Sequence, residues 1–121
     1  MCMVDDSDGH VLMLSAIKRK ARVAHKCSEC RRDIFPGETY LREAMLWEGK
    51  KSTSKTCAHC QVVCNWLSDE CGGFVLGEIE EDIREHALDG YPMEIARLAI
   101  GMAWKWRAPS GRLLPVPKTP M

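Results

Sequence analysis

The chain has 121 residues, of which 45% are apolar and 28% charged, with seven cysteines and four tryptophans. That size and balance fit one small domain, or a small core with appendages. No apolar run approaches the roughly 20 residues that cross a bilayer, so no membrane-spanning helix is expected. Formal charge sums to zero but is laid out in blocks: −3 over residues 1–17, +6 over 18–55, −8 over 69–94 and +5 over 95–121. Separate acidic and basic faces are expected rather than one uniform field.

Met1-Cys2-Met3 followed by Asp5, Asp6 and Asp8 does not read as a secretory signal. It reads as a short acidic leader, and the expected compartment is the reducing cytoplasm. Val11, Leu12, Met13, Leu14 and Ile17 then run into Lys18, Arg19, Lys20, Arg22 and Lys26. Arg22 to Lys26 reads as a strand, whereas the apolar first half fits helix and strand equally. After Cys27-Ser28-Glu29-Cys30, Pro36-Gly37 marks a turn, and Glu38 to Trp47 is rich in β-formers. Glu48-Gly49-Lys50 turns the chain into a polar return strand over Lys51 to Thr56, which completes a hairpin.

A helix is predicted from Ala58 to Glu70. At about 100° per residue its Cys57, Cys60, Val63, Cys64, Leu67 and Cys71 share one face, and Gly72-Gly73 stops it. A second helix over Gly77 to Leu88 buries Ile79, Ile83 and Ala87 and exposes its carboxylates. A third, from Pro92 to Arg107, is apolar round most of its circumference, with Glu94, Arg97, Gly101 and Lys105 left for water. Pro109 onward, with Leu114-Pro115-Val116-Pro117, reads as an extended tail.

The two Cys-x-x-Cys pairs, Cys27/Cys30 and Cys57/Cys60, carry the most specific chemistry. Each places two thiolates in one tight turn, and together they supply the four soft ligands of a tetrahedral zinc ion. One structural Zn²⁺ is therefore the expected cofactor, and in so short a chain it would contribute materially to folding. Cys64 is the best fifth candidate, although a small buried hydrophobe suits it better. His25 could replace a cysteine, while His59 is expected to face solvent, roughly opposite Cys60 on the helix.

The order of knuckle, β-hairpin and a second pair opening a helix resembles the treble-clef class of zinc fingers, as found in LIM-type domains. The resemblance covers about residues 22–72. It implies an α+β fold, with Cys27 and Cys30 as knuckle ligands and Cys57 and Cys60 as helix ligands. Two C-terminal helices and the Pro-rich tail would be additions to it. Such knuckles often carry Gly after the second cysteine, where Arg31 stands here. The layout is also similar to small zinc proteins carried by bacteriophages and prophages. Expected boundaries are a leader and apolar segment at 1–17, a zinc domain at 18–73, a helical extension at 74–108 and a tail at 109–121.

A zinc ion held by four thiolates keeps no open position for water or substrate, so it would not act as a Lewis acid. Treble clefs that host a His-Asn-His nuclease need a histidine on the hairpin, and residues 34–56 contain none. Ser28 and Ser54 have no base placed by motif. A non-enzymatic protein without a small-molecule substrate is expected. Its partner would be a protein or a second copy, met through Trp104 or Trp106, which stand two apart and cannot both centre one helix face. The alternative is a nucleic-acid-binding finger using Lys18, Arg19, Lys20, Arg22, Arg31 and Arg32, followed by Arg42, Lys50, Lys51 and Lys55. Tyr40 and Trp47 would then add stacking surface.

Overall fold

The computed structural model describes residues 11–74, 77–89 and 93–118. The expected acidic leader and the start of the third helix at Pro92 lie outside them. The elements run β1 (Val11–Lys20), β2 (His25–Lys26), β3 (Asp33–Ile34), β4 (Thr39–Trp47), β5 (Lys50–Cys57), α1 (Ala58–Cys71), α2 (Ile79–Leu88) and α3 (Met93–Ala103). Among the described residues the fold is α+β: one three-stranded antiparallel sheet, a small two-stranded ladder and three helices. No helix among the described residues is long and apolar enough to cross a membrane.

The stretch that fits helix and strand equally is a strand. β1 lies along β4, and β4 along β5, in the order β1-β4-β5. Periodicity cannot choose at residues 11–17. A neighbouring strand that pairs the backbone N–H and C=O groups along this segment does. A register shift between Met13 and Ser15 marks a bulge. The hairpin loop has two residues, Glu48 at φ 50° and Gly49 at φ 78°. Two successive positive φ values match the twist of the flanking strands. β2 and β3 pair over two positions, His25 with Ile34 and Lys26 with Asp33, and bring the first cysteine pair into the turn between them.

α1 buries more than the predicted stripe. Val62, Trp66 and His59 join Cys60, Val63, Cys64 and Leu67, because neighbours cover it on more than one side. Gly72, at φ 75°, ends it in the left-handed conformation that only glycine adopts cheaply. One core cluster joins the four paired cysteines, Val63 and Leu67 of α1, Ile79 and Ile83 of α2, Ile95, Leu98 and Met102 of α3, and Trp106.

α3 ends four residues earlier than its apolar pattern suggests. The Lys105 N–H donates to Met102 O at 2.9 Å and the Trp106 N–H to Gly101 O at 2.7 Å, with Lys105 and Trp106 at φ 55° and 59°. This is a Schellman-type stop, with the chain reversing into the left-handed region. The reversal lays the Trp106 ring on Gly101, where an added Cβ would overlap the ring. Gly101, expected to face water, is therefore a buried seat. Gly101→Ala is expected to cost about 1–3 kcal/mol through overpacking. That outweighs the ~1 kcal/mol by which alanine ordinarily improves on glycine inside a helix. A thermal melt showing Gly101→Ala stabilised would mean that the ring yields freely.

Candidate metal centre

The first cysteine pair sits in a turn that the backbone closes on itself. The Arg31 N–H donates to Cys27 O at 3.1 Å and the Cys27 N–H to Arg32 O at 2.9 Å. Arg31 takes φ 68°, the conformation that makes glycine common at this place in such turns. Ser28 then fastens the turn to β5. Its N–H donates to Lys55 O at 2.7 Å, and its Oγ accepts from the Lys55 N–H at 3.0 Å. Two residues on, Cys57 is the N-cap of α1, its Sγ accepting from the Cys60 N–H at 3.5 Å.

These constraints bring the ligand atoms of Cys27, Cys30, Cys57 and Cys60 within 4.8 Å of one another, all buried. The Cys30 and Cys57 sulfurs are 3.9 Å apart. A tetrahedron with Zn–S bonds of about 2.3 Å has sulfurs about 3.8 Å apart, so the spacing suits one zinc ion. Four buried thiols at this distance cannot all ionise without a cation. Hydrogen bonds from Cys27, Cys30 and Cys60 pull the Cys57 thiol far below its usual value. Hydrogen bonding to Cys30 brings Cys27 to about 7. Cys60 is pushed far up by hydrogen bonding to Cys27, Cys30 and Cys57 and by burial, and Cys30 rises through Cys27 and Cys57. A divalent ion would replace this competition for protons with direct ligation.

Donors already point at the sulfurs. The Cys57 N–H reaches Cys27 Sγ at 3.4 Å, and the Trp106 indole N–H reaches Cys60 Sγ at 3.3 Å. The start of α1 adds partial positive charge at the second pair. Such outer contacts orient thiolates and offset the formal −2 that four of them leave on a zinc ion. Comparison with protein families, with curated proteins and with solved structures found nothing that matches this chain.

His59 is not at the surface. It is 3% exposed, with its ring 5.5 Å from that of Trp106. Its Nε2 lies 2.6 Å from Leu114 O, which can only accept, so Nε2 carries the proton. Nδ1 then accepts from Arg32 Nη2 at 3.3 Å. His59 is a brace between the knuckle and the tail, outside the four-sulfur cluster. His25 packs on Tyr40 instead, at 5.1 Å between ring centres, and also lies outside it. Cys64 is buried next to the cluster without joining it, and burial pushes its thiol up.

Arg32, expected among the nucleic-acid contacts, is 1% exposed. It makes a two-pronged ion pair with Glu38, Nη2 to Oε1 at 2.7 Å and Nη1 to Oε2 at 3.1 Å. Arg31 lies beside Glu78, Glu80 and Glu81. Arg19, Lys20 and Arg22 gather instead with Arg42 and Lys55, and Lys18, one residue away on β1, is exposed. Tyr40, a stacking candidate, is buried, and the side chain of Trp47 is not among those described. Trp106 is buried at 3%, so it is no partner contact, while Trp104 is 63% exposed.

Sequence reasoning missed Glu29. Both its carboxylate oxygens accept from the Gly77 N–H, at 3.0 and 2.8 Å, which ties the knuckle to the start of α2. Glu78, the N-cap of α2, supplies no such bond. A carboxylate serving a helix start from 48 residues away leaves no local pattern to find.

Proposed function

We propose that this chain is a non-enzymatic binding module whose fold depends on one structural zinc ion, with a treble-clef arrangement at its centre. The order of knuckle, hairpin and cysteine-capped helix supports the treble-clef reading, as does the left-handed Arg31. With all four ligand positions taken by sulfur, the ion would have no place for water or substrate. The module would act as an adaptor or inhibitor by docking on a protein, or on a second copy, through α3.

The observation carrying this reading is the outer face of that helix. Met93, Ile100 and Trp104, spaced by seven and four residues, lie along one stripe and are 66%, 59% and 63% exposed. The inner stripe of Ile95, Leu98 and Met102 is already buried. Tryptophan is rarely left on a water-facing helix surface without use, and it is enriched at the energetic centres of interfaces.

Trp104→Ala is expected to weaken association by about 2 kcal/mol or more, the scale of an interface anchor. Its melting temperature at a dilution where the chain is monomeric should not move. Trp106→Ala should instead lower stability by about 3–5 kcal/mol as a core truncation. Sedimentation of wild type and variants over a concentration series, with chemical cross-linking to capture a partner, reads the first effect. Unchanged association in Trp104→Ala, or a melting loss equal to that of Trp106→Ala, would make α3 plain core.

A further inference from the structure

A second surface stands apart from α3 and does not depend on that reading. Arg19, Lys20, Arg22, Arg42 and Lys55 line one concavity of about 380 Å³, together with Val23, His25 and Tyr40. These cations come from three strands and the bend after β1, separated by up to 36 residues in sequence. The strand registers explain the convergence. Arg42 stands directly opposite Lys55, and Arg19 directly opposite Tyr40. Cross-strand partners project from the same face, and residues two apart on a strand share it. Arg19, Arg42 and Lys55 therefore rise from one face, with the buried Tyr40 ring among them.

No acidic side chain among the described residues lines this concavity. Elsewhere the molecule neutralises two of its cations. Lys26 pairs with Asp33 at 2.8 Å, and Arg32 pairs with Glu38. Here it does the opposite and sets Arg42 against Lys55, a like-charge cross-strand pair that destabilises a sheet. A local rule broken without a structural gain marks a binding site more often than a structural one.

We infer that this concavity binds the phosphodiester backbone of single-stranded nucleic acid, with Arg19, Lys20, Arg22, Arg42 and Lys55 as the phosphate contacts. Five cations exceed what one phosphate group needs, which favours a ligand carrying phosphates in series. The volume admits a phosphate with its sugar or base, and the exposed Val23 and half-buried His25 give that unit an apolar and aromatic wall. A flexible single strand can turn one unit inward. A duplex holds its phosphates on the outside of a stiff cylinder and would touch only the rim. Neither Arg31 nor Arg32 takes part, so the surface differs from the run of basic residues seen in the sequence.

The test is fluorescence anisotropy of short labelled oligonucleotides, as single-stranded RNA, single-stranded DNA and duplex DNA, titrated with the zinc-loaded full chain between about 50 and 200 mM salt. Single strands of either kind should bind more tightly than duplex. Arg42→Ala/Lys55→Ala should weaken single-strand binding about tenfold or more and lower the salt slope by about 1.4, because each lost contact removes about 0.7. Arg19→Ala, outside the cross-strand pair, should lower the slope by about 0.7. The charge-matched Arg84→Ala/Arg97→Ala on α2 and α3 should bind as wild type. The double variant at the concavity should melt no lower than wild type, since it removes a repulsion. Absence of salt-dependent binding to either single strand, tighter binding to duplex, an equal loss in the α2/α3 control, or a full slope retained in both Arg19→Ala and the double variant would each overturn the assignment.

Discussion

Removing zinc from this protein is expected to abolish its cooperative thermal transition. A structural zinc site contributes about 10–16 kcal/mol in small zinc-finger peptides near neutral pH. Whole domains are stable by only about 5–15 kcal/mol, so the folded state would not outlast loss of the ion. The four cysteines belong to one core cluster with residues of all three helices, and the first pair's turn is pinned to both β5 and the start of α2. Collapse should therefore spread from the site to the sheet and helices. Cys57→Ser separates the metal contribution from local helix effects, because serine is itself a strong N-cap and would keep the cap on α1. Its loss of folding, set against the smaller loss in Cys64→Ser, would report on the metal. Cys64→Ser, one turn further along α1 and outside the cluster, should cost far less. Elemental analysis should return one zinc per chain, and circular dichroism with a strong chelator should show loss of the melt. A zinc-free preparation that melts cooperatively at the wild-type temperature would refute a structural ion.

The second large effect is expected at Glu38. Arg32 is fully buried beside the metal centre, and Glu38, itself mostly buried, is its carboxylate partner. Removing one member of a buried pair leaves the other charge uncompensated, which costs about 3–5 kcal/mol. Glu38→Ala should therefore lower stability on that scale in chemical denaturation. It should also loosen the Phe35 N–H, which donates to Glu38 Oε2 at 2.7 Å. Arg32→Ala/Glu38→Ala should cost less than the sum of the two single changes; strict additivity would mean that the ion pair is not coupled. The pair also has a pH signature. Burial pushes the Glu38 carboxyl up, but the Arg32 hydrogen bonds, the Phe35 N–H and the Arg32 charge outweigh it and hold the carboxyl below its ordinary 4.5. A depressed carboxylate adds stability that is complete above that ordinary value and is lost as pH falls through the folded one. Wild type should lose stability in that acid window, and Glu38→Ala should lack this part of the loss.

Local patterns in the chain carried most of the elements. Glu48-Gly49-Lys50 and the β-formers before it placed the hairpin, although Lys50 itself opens β5, and Gly72 placed the end of α1, because a tight hairpin loop or a left-handed stop needs particular residues at particular positions. The cysteine spacing likewise named the four sulfurs that the fold brings together. Residues 11–17 could not be resolved locally, since a strand there exists by virtue of β4. The third helix stops short of its apolar pattern for a related reason. Lys105 and Trp106 carry no glycine signal for the reversal they adopt, and it is held by Trp106 packing on Gly101 and reaching Cys60.

The sequence by itself determined that four thiolates lie at metal-ligand spacing, that a hairpin separates the two pairs, and that one pair opens a helix. Those facts depend on residues close together in the chain, where turn chemistry and helical period act. Only the tertiary structure decided what surrounds the sulfurs and which charges reach solvent. His59 turned inward because Leu114 and Arg32 meet it there, and Arg32 left the basic surface because Glu38 holds it. Trp106 was separated from Trp104 by the reversal after Ala103, and Arg42 was set beside Lys55 by strand register. Each of these depends on partners many residues away. Burial and charge are fixed there by the packing of whole elements, which spacing along the chain does not encode.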